Sequence, residues 1–282
     1  MRDRPSVTAA WVAAWRSFGV LLPEEARLAD DPYGARFARA TGLFRTPALA
    51  RALFPQRALV YMQVRTRVLD DALRGFMRDG GAQVVLLGAG FDCRALRFAH
   101  ELEAKHATVF EVDHPATQAR KREVLAGDVG AKTEYIAWNF EERDMSELPG
   151  ALAERGHDAS KPTLTIWEGV TMYLSENAID ASVRAMRDYS GPASRIAFTY
   201  VDRALIEHPT ARVRIVQRLV AGVGEPFRFG WDPHDLPRWL SARGFEVKTD
   251  DSMRDLSIEL LPERFVLHAD DAGRRIATAV RT

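Results

Sequence analysis

The chain has 282 residues, 46% hydrophobic and 28% charged, with 39 basic and 39 acidic side chains. That is globular composition with enough length for one large α/β domain and a full core. With no basic surplus it carries no electrostatic footprint for nucleic acid or an anionic membrane. One cysteine, Cys93, excludes an internal disulfide and a cysteine-held zinc. No apolar run approaches membrane length and the N-terminus leads into no signal-type core, so a cytoplasmic protein is expected.

Residues 6–80 read as helical. Ser6 can cap a helix carrying Val7, Trp11, Val12 and Trp15, and Pro23 and Asp31-Pro32 mark turns. Short helices are expected over Phe37–Ala40 and Pro47–Phe54. A longer one is expected over Arg57–Met77, with Leu59, Met62, Leu69, Leu73 and Phe76 on its apolar side. Such a layer ahead of a sheet can serve as a lid over the ligand edge, as packing, or as both. Tyr61 and Arg65 are four apart and share a helical face. An arginine facing a cleft can clamp a carboxylate, because its planar fork donates two parallel hydrogen bonds. In isolation Arg65 reads equally as one more solvated arginine.

From Gln83 onward strands and helices alternate. Strands are expected at Gln83–Leu87, Thr108–Val112, Tyr135–Trp138, Leu164–Trp167, Arg195–Tyr200, Phe245–Thr249 and Arg264–His268. Helices are expected at Ala116–Leu125, from Ser175 to Tyr189, over 209–221 and from Asp232 to Ala242, with a helix-and-loop stretch over 144–155. Val223–Trp231 reads as an irregular insertion inside a substrate-side segment, residues 205–232. The pattern predicts a single α/β domain, a Rossmann-like sheet with helices on both faces, preceded by a helical N-terminal layer.

The most informative stretch is Gln83-Val-Val-Leu-Leu-Gly-Ala-Gly-Phe-Asp. Four apolar residues form a strand buried on both faces, and Gly88-Ala89-Gly90 then turns the chain where a ligand can approach the backbone. The third glycine of the dinucleotide fingerprint would fall at Cys93 and is missing. Asp113 ends the next strand, about 20–25 residues past the turn, where a ribose-binding carboxylate belongs. Glu111 shares its face and reads better as the cap of the following helix. Asn139 and Phe140 close the third strand and can bind an adenine by hydrogen bond and packing, although Asn139 also reads as a plain turn residue. Glu168-Gly169 closes the fourth, where a buried carboxylate needs a partner. Ligand groups at successive strand ends are the pattern of a site along the carboxyl edge of an open sheet.

Three segments in order, Gln83 to Arg94, Phe110-Glu-Val-Asp-His-Pro and Trp167-Glu-Gly-Val-Thr-Met-Tyr-Leu, resemble the leucine carboxyl methyltransferase family, class I S-adenosylmethionine-dependent O-methyltransferases. Asp31-Pro32-Tyr33 and Tyr61-x-x-x-Arg65-Thr66 are similar to its N-terminal helical part. The resemblance covers roughly residues 6–200. It implies S-adenosylmethionine as cofactor and no metal. It places Gly88, Ala89 and Gly90 under the methionine portion, Asp113 and the adjoining His114 at the ribose, Asn139 and Phe140 beside the adenine, and Glu168 at the methionine amine or the nearby substrate pocket. Arg65 would bind the carboxylate of methionine or of the substrate, and Tyr173 would line the substrate pocket. Family members usually have Asp where this chain has Asn139; its oxygen still accepts a hydrogen bond.

A carboxylate acceptor is already ionised at pH 7 and needs no general base, whereas a phenol, with a pKa near 10, does. His114, His208 and His234 lie in no motif that singles them out as that base. The expected reaction is therefore carboxyl methylation of a small acid, with Arg65 orienting the acceptor and Tyr61, Tyr173 and Tyr200 shaping its pocket. A phenol acceptor, a non-catalytic cofactor-binding protein and a nicotinamide-dependent oxidoreductase are the alternatives.

Overall fold

The computed structural model describes residues 5–40, 56–140, 142–222 and 226–282. The helix expected over 47–54 lies outside them. The N-terminal layer contains α1 (Val7–Ser17), α2 (Gly34–Ala40) and α3 (Gln56–Arg78). Ser6 caps α1 as its residue type predicts, its hydroxyl accepting from the Ala9 amide at 3.1 Å. α3 holds two stripes. Leu59, Met62, Leu69, Leu73 and Phe76 are buried against the sheet, each worth about 1.5–3 kcal/mol of transfer free energy. Arg57, Tyr61 and Arg65, at i, i+4 and i+8, form a second stripe that faces an internal cavity.

The sheet has seven strands: β1 (Gln83–Leu87), β2 (Thr108–Asp113), β3 (Thr133–Ala137), β4 (Thr163–Trp167), β5 (Arg195–Val201), β6 (Phe245–Ser252) and β7 (Arg274–Arg281). Their order is β3-β2-β1-β4-β5-β7-β6, with β7 antiparallel to both neighbours. β1 pairs in parallel with β2 on one side and β4 on the other. The strand order reverses there, and the switch point opens a crevice at the carboxyl edge. Helices α4 (Arg94–Arg97), α5 (Ala99–Ala104), α6 (Pro115–Val124), α7 (Leu148–Ala153), α8 (Glu176–Tyr189), α9 (Arg203–Glu207), α10 (Ala211–Gly222), α11 (Leu236–Ser241) and α12 (Met253–Leu260) complete the chain. Alternate strand residues feed two cores. Val84, Leu86, Leu164 and Ile166 pack toward α3, and Val85, Leu87, Phe110 and Phe198 pack toward α8. No described helix is long and apolar enough to cross a membrane.

The last strand differs from expectation. Residues 264–268 form part of a 3₁₀ turn and a loop that plugs Phe265 and Leu267 into the core, and β7 is Arg274–Arg281 instead. Apolar bulk at 264–268 reflects burial of a loop. β7 carries little bulk of its own and is fixed by pairing on both sides and by Arg275, which donates to Asp250 at 2.9 Å. The helix expected from Asp232 begins later, at Leu236, because Asp232 to Asp235 form a turn.

Behind β2, His157 is buried between the edges of Phe110 and Tyr189, with Nε2 2.9 Å from Thr163 Oγ1. Burial pushes its pKa down from 6.5 to about 4. The unfolded chain takes up a proton between those values that the folded chain does not. The contribution of His157 is therefore complete above pH 6.5 and is lost as pH falls toward 4, at up to about 1.4 kcal/mol per pH unit. Thermal midpoints are expected to fall over that window in the wild type and to fall less in His157→Gln; parallel curves would refute this account.

Candidate active site

The crevice is a cavity of about 990 Å³ running along the carboxyl edge from β3 to β7 and roofed by α1 and α3. At its centre β1 ends in a turn that only glycine fits. Gly88 has φ +68°, and a Cβ there would lie 2.5 Å from Val170 Cγ2. The amides of Gly88 and Ala89 both donate to Val112 O, at 2.8 and 3.1 Å. Gly90, with φ +51°, turns its amide onto Asp113 Oδ2 at 2.5 Å, and the His114 amide donates to Oδ1 at 2.6 Å. Burial pushes the Asp113 carboxyl above its ordinary range, and the two amides offset part of that rise. Ala9 of α1 lies against this turn, since a Cβ on Gly90 would sit 3.2 Å from the Ala9 methyl. Arg16 pins α1 there, donating to Phe91 O at 2.6 Å and to Asp31 at 2.9 Å.

The end of β4 carries the densest charge. Arg65 Nε donates to Glu168 Oε1 at 2.8 Å, and Arg94 Nη1 donates to Oε2 at 2.8 Å. Arg65 Nη2 also lies 2.8 Å from Oε1 and takes part in the ion pair, but it points past the oxygen and makes no hydrogen bond of its own. Burial alone would raise the Glu168 carboxyl; Arg65, Arg94 and Arg16 overcome it and hold it well below the usual carboxylate range. Gly169 follows with φ +71° and passes beneath the Arg65 guanidinium, a Cβ there falling 3.8 Å from Nη1.

Beyond β4 the walls become apolar and aromatic. Trp11 and Trp15 come from α1, Met172 and Tyr173 from the turn after β4, and Val201 and Phe227 from the far side. Tyr173 and Phe227 meet edge to face at 5.7 Å.

A family model described as leucine carboxyl methyltransferase matches residues 9–187. A Streptomyces coelicolor protein with the provisional name of an S-adenosyl-L-methionine-dependent methyltransferase is 36% identical over 229 residues, 79% of this chain and 77% of its own length. A Frankia alni protein with the same kind of name is 31% identical over 99% of this chain and 97% of its own. The chain belongs to the leucine carboxyl methyltransferase family. The fold agrees: a Thermobifida fusca crystal structure, described provisionally as a methyltransferase, superposes with TM-score 0.61 at 18% identity, covering 99% of this chain and 96% of that one. Like its relatives, the protein is an S-adenosylmethionine-dependent methyltransferase with a Rossmann-like α/β fold.

Every site residue expected from this methyltransferase's sequence lines the cavity except Tyr200. Tyr200 is buried on the opposite face of β5, its hydroxyl donating to Asp250 at 2.7 Å and its ring against Trp231. Strand alternation accounts for this, since the neighbouring Val201 takes the cavity side. Glu111 is not a helix cap: it is buried and paired with Lys121 Nζ at 2.6 Å, while His114 Nδ1 caps α6 by accepting from the Ala116 amide at 3.2 Å. Several charged residues escaped the sequence reading, four arginines among them. Arg16 and Arg94 build the buried network, and Arg57 and Arg274 line the far end of the cavity. Arg57 was within reach, because it continues the four-residue spacing of Tyr61 and Arg65.

Proposed function

We propose that this methyltransferase transfers its methyl group to a carboxylate of a small, largely apolar organic acid. The cofactor fits the groups along the glycine-turn half of the cavity. Asp113, oriented by two amides, would accept from the ribose hydroxyls, and Asn139 and Phe140 would flank the adenine. Glu168 would take the methionine ammonium, and the Arg65 guanidinium beside it would face the carboxylate. When bound, S-adenosylmethionine supplies a methyl group on a positively charged sulfur, which a carboxylate oxygen can attack in line without giving up a proton.

The observation that carries the carboxyl reading is the wall of the acceptor half, where Trp11, Trp15, Met172, Tyr173, Val201 and Phe227 line the cavity. An anion and a cation neutralise one another as the bond forms, so a dry, apolar pocket favours the transition state over solvated reactants. A phenol acceptor would call for a base beside it. Of the two histidines lining the cavity, His114 uses Nδ1 to cap α6, and the His268 side chain is exposed. The bond to Glu168 makes Arg65 a cofactor residue in this reading. A guanidinium gripping the reacting oxygen would stabilise the charged reactant more than the neutral product and would slow transfer.

The test uses tritiated S-adenosylmethionine and a panel of small aromatic and aliphatic acids and phenols. Label released as volatile methanol by mild alkali is the expected result, because a methyl ester hydrolyses there. Alkali-stable label would mean an ether or amine product and would remove the carboxyl reading.

A further inference from the structure

At the β7 end of the cavity, opposite the glycine turn, two arginines share one buried aspartate. Arg57 Nε and Nη2 lie 2.8 and 2.5 Å from Asp271 Oδ2, and Arg274 Nη1 donates to Oδ1 at 3.0 Å. The Asp271 side chain is 2% exposed, whereas those of Arg57 and Arg274 are 25% and 22% exposed and line the cavity. The Arg274 guanidinium lies over the Tyr61 ring at 5.2 Å, and the Arg65 guanidinium approaches the same ring at 5.8 Å. Tyr61 thus separates two guanidinium sites along the inner stripe of α3. Residues 57 and 65 are two turns apart, about 12 Å along the helix axis.

We propose that Arg57 and Arg274, held by Asp271, form an anion-binding subsite for a second, non-reacting anionic group on the acceptor. The inference rests on the carboxyl reading above and narrows it to an elongated acid with an apolar middle and a negative charge at each end. The charge balance supports it. One carboxylate between two guanidiniums leaves a net positive charge facing the cavity. Arg228 and Asp270 also line the cavity and carry opposite charges. Asp271 uses only part of the two forks. Arg57 Nη1 and Arg274 Nε and Nη2 make no hydrogen bond among the described residues, and they can receive a carboxylate or phosphate.

The placement also argues against the reacting group. Methylation removes the acceptor's charge, so a guanidinium on the reacting oxygen loses its interaction as the bond forms. On a distant group the interaction is retained throughout and serves positioning. The aromatic wall between the two ends suits the apolar body of such an acceptor.

The experiment is calorimetric titration of the full chain, loaded with S-adenosylhomocysteine, with the monomethyl and dimethyl esters of hexanedioic, octanedioic, decanedioic and benzene-1,4-dicarboxylic acids. A monomethyl ester retains one carboxylate and mimics the product; the dimethyl ester is its uncharged control. At least one monomethyl ester is expected to bind tenfold or more tightly than its dimethyl ester. Arg274→Gln should abolish that preference, and Asp271→Asn, which releases both arginines, should increase it about threefold or more. A purely structural cluster would give losses in both variants or changes in neither. Affinity for S-adenosylhomocysteine, measured first, should stay within twofold in each variant. If no monomethyl ester outbinds its dimethyl ester in the wild type, or if the two variants move together, the subsite is refuted. Failure of the wild type to bind S-adenosylhomocysteine would instead strike the cofactor assignment itself.

Discussion

Arg94→Met is expected to destabilise the fold by about 3–5 kcal/mol, the range for breaking a buried ion pair from one side. Arg94 is buried and donates to Asp70 at 2.9 Å, to Asp92, and to Glu168 at 2.8 Å. Its removal leaves three largely buried carboxylates short of a counter-charge. Asp70 retains Arg97 and Glu168 retains Arg65, whereas Asp92 keeps the residue-94 amide at 2.7 Å but no cation in direct contact, and is affected most. The network joins α3, α4 and the end of β4. The loss should therefore appear as a cooperative fall of the unfolding midpoint by roughly 6–20 °C, together with weaker binding of S-adenosylhomocysteine. Lys248→Ala is the control, because the Lys248–Glu246 pair has side chains 46% and 62% exposed and is screened by solvent. A midpoint for Arg94→Met within 2 °C of wild type would show that the network contributes specificity rather than stability. The same network sets an acid limit. The Glu168 carboxyl is held below its unfolded value, so its contribution is fully present well above about pH 4.5 and is lost progressively as pH falls from there toward the lower folded value.

How much of this was legible in the sequence follows from the range of the forces. β1 through β5 were readable because each is a short apolar run ended by a turn residue, and both properties are local. The glycine turn, Asp113 and Glu168 were readable for the same reason: their positions at strand ends follow from chain order alone. β7 was not, because Arg-Arg-Ile-Ala-Thr-Ala-Val-Arg has little apolar bulk and owes its state to pairing with β5 and β6. Tyr200 was misplaced by one residue of strand phase, which is enough to put a side chain on the wrong face. Two of the three partners of Arg94 lie 24 and 74 residues away in sequence, and the partner of Arg57 lies 214 away. The helical spacing of Arg57 places it on the face of Tyr61 and Arg65 but names no partner for it, and no local pattern singles out Arg94; the topology brings the distant carboxylates to both.

Asp113→Ala is expected to weaken S-adenosylhomocysteine by about 30-fold to several thousandfold, corresponding to about 2–5 kcal/mol for truncating one partner of a buried charged hydrogen-bond set. Two losses combine. In the proposed cofactor site the ribose hydroxyls would lose their acceptor, and the amides of Gly90 and His114 lose theirs, which frees the turn on which the nucleoside would rest. Asp113→Asn separates them. Its amide oxygen can serve one backbone N–H while its NH₂ group faces the other, so an intermediate loss is expected, with the glycine turn partly retained. The pH dependence gives an independent check. Burial raises the Asp113 carboxyl in the ligand-free protein, and ribose donors that favour the ionised form would lower it again on binding. Affinity should therefore decline with acidification, beginning above the ordinary aspartate range and approaching tenfold per pH unit, and that decline should be absent in Asp113→Asn. An alanine variant that binds within threefold of wild type, or an asparagine variant that retains the full pH dependence, would place the ribose anchor on another residue.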